Sequence, residues 1–222
     1  MGLSMTNPKL QRKDVVSDAE IEQMLATADA YKDLFFRLRA KAVLGLLATG
    51  KRRFEIVTLE QTDLETDGRW LYVTFTVTKK RKKKLLSVRR TKKFQLTSRW
   101  AKMILEYSAF LKQNYPNCKW LFPSGRTVFG QAYLIDETKH AIGQEIWRII
   151  KKLNPDDWPH LHREKRAVKV IKADESKYGE ASIGTIFRVK LVLDLEDEKT
   201  AYVYVRRHET QKVEEEEETE IE

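Results

Sequence analysis

The sequence contains very little cysteine: Cys118 is the single cysteine among its 222 residues. One thiol cannot form a disulfide within the chain, and zinc or iron–sulfur sites built from several cysteines are excluded with it. Long hydrophobic runs are also missing, since no apolar stretch approaches the roughly 20 residues of a membrane-spanning helix. The start, MGLSMTNPKLQRKD, lacks the hydrophobic segment of a signal peptide. We therefore expect a cytoplasmic protein without a membrane partner.

Groups of carboxylates with the spacing of metal ligands are missing too. The adjacent acidic pairs, such as Asp156 and Asp157, are predicted to lie in loops or on the surface, where they serve solubility. We expect no metal and no other cofactor.

Positive charge, by contrast, is abundant. Lysine and arginine number 42 against 33 acidic residues, for a formal net charge of +9. Seven of the acids are glutamates within the last nine positions, so the preceding residues carry 42 basic against 26 acidic side chains, a balance of +16. With 41% apolar residues the chain can fold, and a body of this charge attracts polyanions over a Debye length or more.

We predict one mainly helical domain with a small antiparallel β-hairpin, an α+β fold class. The domain is expected over residues 17–208, after a polar leader at 1–16 and before an acidic, disordered tail at 209–222. Ser17 and Glu20 form a capping-box pattern that marks the start of the first helix. The elements predicted further along are a buried helix from Leu34 to Gly50, a short helix at 54–59, strands at 70–77 and 93–97, a helix at 100–114, a loop at 118–130, one or two helices at 131–153, a helix at 160–172, and a helix or strand at 185–193.

The most informative stretch joins the end of the buried helix to the short one. Gly50 is followed by Arg52 and, three residues later, by Glu55. Residues at this spacing share a helix face, so the carboxylate can orient the guanidinium at a position suited to binding a phosphate. Taken alone, the pattern is equally typical of a surface ion pair after a glycine cap.

The longer pattern Gly50-x-Arg52-x-x-Glu55-Ile56-x-x-Leu59-x-x-x-Asp63 resembles the first motif of the tyrosine recombinase family, which includes phage and Xer-type integrases. The resemblance extends over about residues 17–208. It implies a DNA breaking and rejoining domain in which Arg52 contacts the scissile phosphate and Glu55 supports it. It also implies a lysine on a β-hairpin, a His-x-x-Arg motif and a late tyrosine.

The hairpin lysine has several candidates in a very basic segment, because ten of the fifteen residues from Lys79 to Lys93 are basic. Such density favours contact with DNA through counterion release. By the resemblance, Lys79 protonates the leaving oxygen, with Lys80 as the alternate. The predicted DNA-binding residues of the segment are Lys80, Arg81, Lys82, Lys83, Lys84, Arg89 and Arg90.

The His-x-x-Arg motif is met by His160 and Arg163, which would share one face of a helix and reach one phosphate; Arg166 is a competing arginine. The nucleophile is sought among Tyr202 and Tyr204, which a helix would turn about 200° apart. We predict Tyr204, because Thr200 stands four residues before it, as is common in the family.

One position departs from the family. Members usually carry a histidine or tryptophan nine residues before the nucleophile, and here that residue is Leu195, which cannot donate a hydrogen bond. Either a base such as Arg188 or Lys190 replaces it, or the alignment shifts across residues 172–182, or activity is reduced. The family's small N-terminal DNA-clamping domain is also expected to be absent, leaving a catalytic fragment or a minimal member.

The resemblance implies double-stranded DNA and further copies of the chain as partners, as a dimer or tetramer that exchanges C-terminal helices. Two rival hypotheses remain. One is a non-catalytic DNA-binding protein with the same fold, and the other is an RNA-binding protein that uses the basic hairpin.

Overall fold

The structure is a computed structural model that describes residues 15–81, 84–128 and 132–220, with backbone only at 78–81, 84–86, 126–128, 132–133 and 211–220. These residues form eight α-helices, five β-strands and one short 3-10 turn. The helices are α1 (Asp18–Asp29), α2 (Leu34–Leu47), α3 (Arg53–Val57), α4 (Arg99–Asn114), α5 (Gly143–Leu153), α6 (Pro159–Tyr178), α7 (Ile183–Leu193) and α8 (Glu198–Glu220). The strands are β1 (Leu64–Thr66), β2 (Trp70–Arg81), β3 (Lys84–Gln95), β4 (Pro123–Val128) and β5 (Ala132–His140).

The N-terminal helix begins where the capping pattern predicts. The Ser17 hydroxyl accepts a hydrogen bond from the Glu20 amide at 3.1 Å, and Glu20 accepts one from the Ser17 amide at 2.9 Å. Its apolar residues at helical spacing are all buried, namely Ile21, Met24, Leu25 and Ala28. They pack with α2 and α4 in the larger of two hydrophobic clusters.

The main sheet has the order β1-β2-β3 and is antiparallel throughout. Leu71, Val73, Phe75 and Val77 point into the core, while the residues between them are half-exposed, as the alternating sequence predicts. β2 pairs with β3 from Trp70–Gln95 to Arg81–Lys84 with no shift in register. The predicted strand pair is therefore confirmed, but the return strand begins at Lys84 and not at Lys93, because backbone pairing continues through the basic segment.

The segment from 118 to 153 differs from its prediction. β4 and β5 form a second antiparallel hairpin, where a loop and a helix were expected, and only α5 is helical. Along β5, Leu134 is exposed and Ile135, Asp136 and Glu137 are half-buried, so its described residues do not alternate as those of a half-buried strand do. The period of 2 that indicates a strand is therefore weak in this segment.

The C-terminal third forms a second, smaller hydrophobic cluster. α6, α7 and α8 contribute its buried residues, which are Ala167, Ile171, Val189, Leu193, Leu195, Ala201 and Val205. The segment 185–193, which was predicted as a helix or a strand, is helical and belongs to α7. The backbone of α8 is helical as far as Glu220, so it extends into the tail for which disorder was expected. Glutamate is a good helix former, which allows α8 to continue there. The mainly helical fold with a small antiparallel sheet is confirmed.

Candidate active site

The site begins at the loop that closes α2. Gly50 has φ of +77°, the left-handed region where glycine carries no steric cost. Glycine is also required by space, because a Cβ there would lie 2.7 Å from Cδ2 of Leu193. Thr49 supports the turn by donating its hydroxyl to the Leu46 carbonyl at 2.6 Å. The loop thus places Lys51 against the end of α7.

Arg52 and Glu55 form the pair that the spacing predicts. Glu55 is buried and accepts two hydrogen bonds from Arg52, one from the backbone amide at 3.1 Å and one from Nη1 at 3.2 Å. The Arg52 side chain is 48% exposed. Its guanidinium is therefore oriented by a buried carboxylate yet open to a ligand.

Lys51, which the sequence analysis did not single out, is almost fully buried between them. Its Nζ lies 2.7 Å from Oδ2 of Asp194, 3.9 Å from Oε2 of Glu55, and 4.9 Å from the centroid of the Phe75 ring. Burial lowers the pKa of Lys51 below its usual range, outweighing the opposing effect of Asp194 and Glu55. The Lys51–Asp194 pair joins the loop at residues 48–52, called the arginine loop because it carries Arg52, to the connection between α7 and α8.

The Asp194 carboxylate is surrounded by several basic side chains. Besides Lys51 it lies 3.2 Å from Nζ of Lys92 and 3.7 Å from Nε of Arg90, both on β3. Burial alone would raise its pKa, but the hydrogen bonds and charges of Lys51 and Lys92 together lower it below 3.8. Its φ of +53° ends α7 in the left-handed conformation. The basic hairpin, the arginine loop and the end of α7 therefore meet at one carboxylate.

Arg163 comes from the first turns of α6, which begins with Pro159. The guanidinium is buried, and it donates to the backbone carbonyls of Gly50 through Nη1 and of Leu193 through Nη2, the latter at 2.6 Å. These carbonyls directly precede Lys51 and Asp194. Arg163 and the Lys51–Asp194 pair thus hold the same two segments together.

His160 lies one turn before Arg163 on the same helix face. Its side chain is 57% exposed, and its Nε2 is 2.9 Å from Oε1 of Glu164. The same carboxylate oxygen accepts from Nη1 of Arg207 on α8 at 2.9 Å. Glu164 is buried, and its contacts both orient the His160 imidazole and connect α6 to α8.

The two candidate tyrosines lie on different sides of α8. Asp197 caps the helix by accepting from the Thr200 amide at 2.7 Å. Tyr204 is half-buried against the smaller cluster, whereas Tyr202 is 48% exposed on the outer surface. The turn of α8 therefore directs Tyr204 toward α6.

A cleft of about 370 Å³ brings these groups together. Its walls come from the arginine loop, from the Trp147 side of α5, from the start of α6 and from α8. Four of the predicted catalytic residues line it, namely Arg52, His160, Arg163 and Tyr204. Lys51 and Leu195 line it as well. Several cationic or proton-binding side chains and a phenol on one cleft can hold a phosphate diester beside a nucleophilic oxygen.

Leu195 occupies the wall without replacing the expected donor. It is buried and apolar, and neither of the suggested substitutes is among the residues that line the cleft. Arg188 is engaged with Asp174, whose Oδ2 lies 2.7 Å from Nε, and Lys190 is engaged with Glu198. Within the described part of the chain, both bases are thus committed to carboxylates.

The basic hairpin is described only in part. Lys82 and Lys83 lie outside the described residues, and the side chains of Lys79, Lys80, Arg81 and Lys84 do so too, although their backbone is in β2 and β3. Arg89 and Arg90 are exposed; Arg89 pairs with Asp63 at 2.6 Å. The assignment of a hairpin lysine to the cleft stays a prediction.

Four functional candidates escaped the sequence analysis: Lys51, Asp194, Glu164 and Arg207. Asp194 lies 143 residues from Lys51 and Arg207 lies 43 residues from Glu164, so no local pattern reveals these two pairs. Glu164 is the exception, because its spacing of four residues from His160 is a helical pattern that the sequence could have indicated. Among the residues that the structure describes, no group of histidine, cysteine or carboxylate side chains could hold a metal ion. No helix in that part of the chain has the length and apolar character needed to cross a membrane.

The arrangement of helices and sheet is the fold of the tyrosine recombinase catalytic domain. The XerH site-specific recombinase bound to palindromic difH substrate, in a post-cleavage complex, matches with a TM-score of 0.63 at 15% identity over 97% of this chain and 56% of that one. Its pre-cleavage complex with difH matches with a TM-score of 0.60 at 15% identity, over 90% and 52% of the two chains. The predicted resemblance is therefore confirmed at the level of the fold.

A second solved protein has the same fold. The Tn1549 transposon integrase, in complex with a circular intermediate DNA, matches with a TM-score of 0.53 at 14% identity, over 96% of this chain and 70% of that one. This chain thus spans little more than half the length of the XerH chains. No protein-family model and no curated protein matches the sequence.

Proposed function

We propose that this chain is the catalytic domain of a site-specific DNA recombinase that cleaves and rejoins DNA through a 3′-phosphotyrosyl intermediate. The observation that carries the proposal is the convergence of Arg52, His160, Arg163 and Tyr204 on one cleft in a chain with this fold. In this proposal its partners are double-stranded DNA and further copies of itself, as a dimer or tetramer that exchanges α8. It acts in the cytoplasm and needs no metal or other cofactor.

In the proposed reaction the Tyr204 oxygen attacks the phosphorus of the scissile phosphodiester. A bond from tyrosine to phosphorus forms, the bond from phosphorus to the 5′-oxygen breaks, and the phenol proton leaves to solvent. Lys79 gives a proton to the departing 5′-oxygen. Because the new ester conserves the energy of the broken bond, a 5′-hydroxyl can reverse the step without ATP.

The cations of the cleft stabilise the charge that develops on the non-bridging oxygens. Removing one preorganised donor of this kind costs about 100- to 1,000-fold in rate. Arg52 is the best donor to remove, since its exposed guanidinium has a single carboxylate partner. Arg163 is a poorer choice, because its loss would also release the two carbonyls that it holds.

The test is covalent trapping on a pool of nicked suicide duplexes with randomised sequence around the nick. We expect a protein–DNA adduct that survives denaturant, disappears in Tyr204→Phe, and forms about 100- to 1,000-fold more slowly in Arg52→Ala. Tyr202→Phe is the matched control, two residues away on the exposed side of α8, and should form the adduct at the normal rate. An adduct that persists in Tyr204→Phe would refute the assigned nucleophile.

A non-catalytic DNA-binding protein with this fold is the second candidate. Two observations favour it: apolar Leu195 lines the cleft, and two donors of Arg163 are engaged with backbone carbonyls. It predicts binding to duplex DNA with no adduct from any member of the pool. The same experiment therefore separates the two functions.

A further inference from the structure

The opposite face of α6 lines a second groove, separate from the candidate active site. His160, Arg163 and Glu164 face the cleft and α8, whereas Lys165, Arg166 and Lys169 face a groove of about 600 Å³. Its other walls are α1, the end of α2, β3 and the first turn of α4. None of the catalytic residues proposed above lines this groove.

The groove is strongly basic. Six of its lining residues are cations, against a single lining carboxylate, Asp18; the six are Lys92, Lys93, Arg99, Lys165, Arg166 and Lys169. Asp18 is engaged with Lys165 at 2.8 Å, and Arg99 and Lys92 have carboxylate partners from outside the lining. The remaining cations have no carboxylate partner in the described part of the chain. The groove therefore holds an excess of positive charge.

Arg166 is the cation of the groove whose surroundings best suit an anion. Among the described residues it has neither an ion pair nor a hydrogen bond, and its Nε is buried with no acceptor. Burial lowers its pKa below the usual arginine range. The first atoms of its side chain pack on Gly50, with Cγ 3.1 Å from where a Cβ would stand. Arg166 as a whole is half-buried, so its guanidinium can still be reached from the groove. Its buried Nε without an acceptor is destabilising, and an anion bound to the guanidinium would offset this cost.

The neighbouring charges favour a long anion over a small one. Lys169 lies three residues after Arg166 on the same face, is exposed and has no ion pair within the described residues. At the other end of the groove, Lys92 and Lys93 belong to β3, the strand that carries Arg89 and Arg90. The groove is thus continuous with the basic hairpin, and a phosphate chain that follows the hairpin would enter it.

We propose that this groove binds the phosphodiester backbone of duplex DNA as a second contact, with Arg166 and Lys169 as its principal cations. The inference rests on the proposed function for the identity of the ligand, but not for catalysis. Arg163 donates to the Gly50 carbonyl and lines the cleft, whereas the first carbons of Arg166 pack on the same glycine and Arg166 lines the groove. This contact therefore lies next to the cleft without sharing its phosphate.

The experiment measures binding of a duplex longer than the domain, in the Tyr204→Phe background, over a range of salt concentrations. Each phosphate contact contributes about 0.9 to the slope of log affinity against log salt. Arg166→Gln/Lys169→Gln should therefore reduce the slope by about 1.8, and Lys169→Gln alone, at an exposed position, by about 0.9. The matched control is Lys32→Gln/Lys112→Gln, which removes two exposed lysines outside the groove and should leave the slope unchanged.

Three outcomes would overturn the proposal. The first is an unchanged slope in the groove variants, and the second is an equal reduction in the control. The third is a reduction seen with an RNA duplex but not with DNA. Tripolyphosphate serves as the small-anion probe: if it raises the melting temperature through Arg166 while the DNA slope is unaffected, the groove binds free phosphate anions and the proposal fails.

The result is independent of the adduct assay. If the groove variants reduce the salt slope but the protein with Tyr204 intact forms no adduct, the groove contact is supported and recombinase activity is refuted. If the groove variants leave the salt slope unchanged but a Tyr204-dependent adduct forms, recombinase activity is supported and the groove contact is refuted.

Discussion

The buried pair of Lys51 and Asp194 allows a quantitative test of how the site is held together. The two side chains are 1% and 9% exposed and their charged atoms are 2.7 Å apart. Removing one member of a buried pair leaves an uncompensated charge and costs about 3–5 kcal/mol. Asp194→Asn is the cleanest change, because asparagine tolerates the left-handed backbone at this position and only the charge is lost.

The two single substitutions should differ. Asp194→Asn leaves Lys51 with Glu55 at 3.9 Å as its remaining carboxylate, so we expect a loss near the lower limit, about 3 kcal/mol. Lys51→Met leaves Asp194 with Lys92 and Arg90, so its cost should be smaller, about 1–2 kcal/mol. The double variant should cost less than the sum of the two by about 1–3 kcal/mol, because each single change already breaks the pair.

The assay is urea denaturation followed by tryptophan fluorescence, with the free energy of unfolding obtained by linear extrapolation. The control is Asp29→Asn, which removes the carboxylate that pairs with Lys41. Nζ of Lys41 and Oδ1 of Asp29 are 2.8 Å apart, a distance similar to that of the buried pair, but the Asp29 side chain is 55% exposed. Exposed pairs contribute about 0–1 kcal/mol. Equal losses in Asp194→Asn and Asp29→Asn, or strict additivity in the double variant, would refute the reasoning.

Two further predictions concern the same corner of the molecule. Gly50→Ala should lower the free energy of unfolding by about 2–4 kcal/mol, from left-handed backbone strain and from overpacking against Leu193. Gly68 also has a positive φ, +83°, but a Cβ there would meet no atom within 4 Å. Gly68→Ala should therefore lower the free energy of unfolding by about 1–2 kcal/mol, from the backbone strain alone. Equal losses by thermal or urea unfolding would exclude the close approach as a cause. The second prediction follows from the lowered pKa of Asp194: its stabilisation is complete above 3.8, the value in the unfolded chain, and is lost as the pH falls from there through the folded pKa. In an acid titration, the free energy of unfolding of Asp194→Asn should fall less steeply with decreasing pH than that of the unsubstituted protein. An acid transition that is the same in both proteins would contradict this prediction.

Local patterns predicted local structure well. The capping box at Ser17 and Glu20, the alternation of β2, and the contact of Arg52 with Glu55 all join residues at most a few positions apart. The choice of Tyr204 over Tyr202 used the pitch of a helix, which separates the two tyrosines, and the position of Thr200 by resemblance to the family, and the cleft contains Tyr204. Its role as nucleophile stays a prediction, as do the domain boundaries.

Other features depend on contacts that a linear pattern does not carry. The hairpin of β4 and β5 was mistaken for loop and helix, because β4 begins with the turn-forming residues Pro123, Ser124 and Gly125 and the described residues of β5 lack the alternation of a half-buried strand. Lys51 reads as one more surface base beside Arg52 and Arg53, and only packing against Phe75 and Asp194 makes it a buried residue. Tertiary contacts, not local propensity, decide such positions.

The two carbonyls bound by Arg163 set an order for assembly of the molecule. One lies 113 residues before it and the other 30 residues after it. A chain emerging from the ribosome therefore presents its cationic hairpin well before the guanidinium has both acceptors. Contacts between such distant segments form late, since loop closure must precede them. Truncation before α7 should accordingly leave a polypeptide that keeps the basic hairpin yet lacks the complete candidate site.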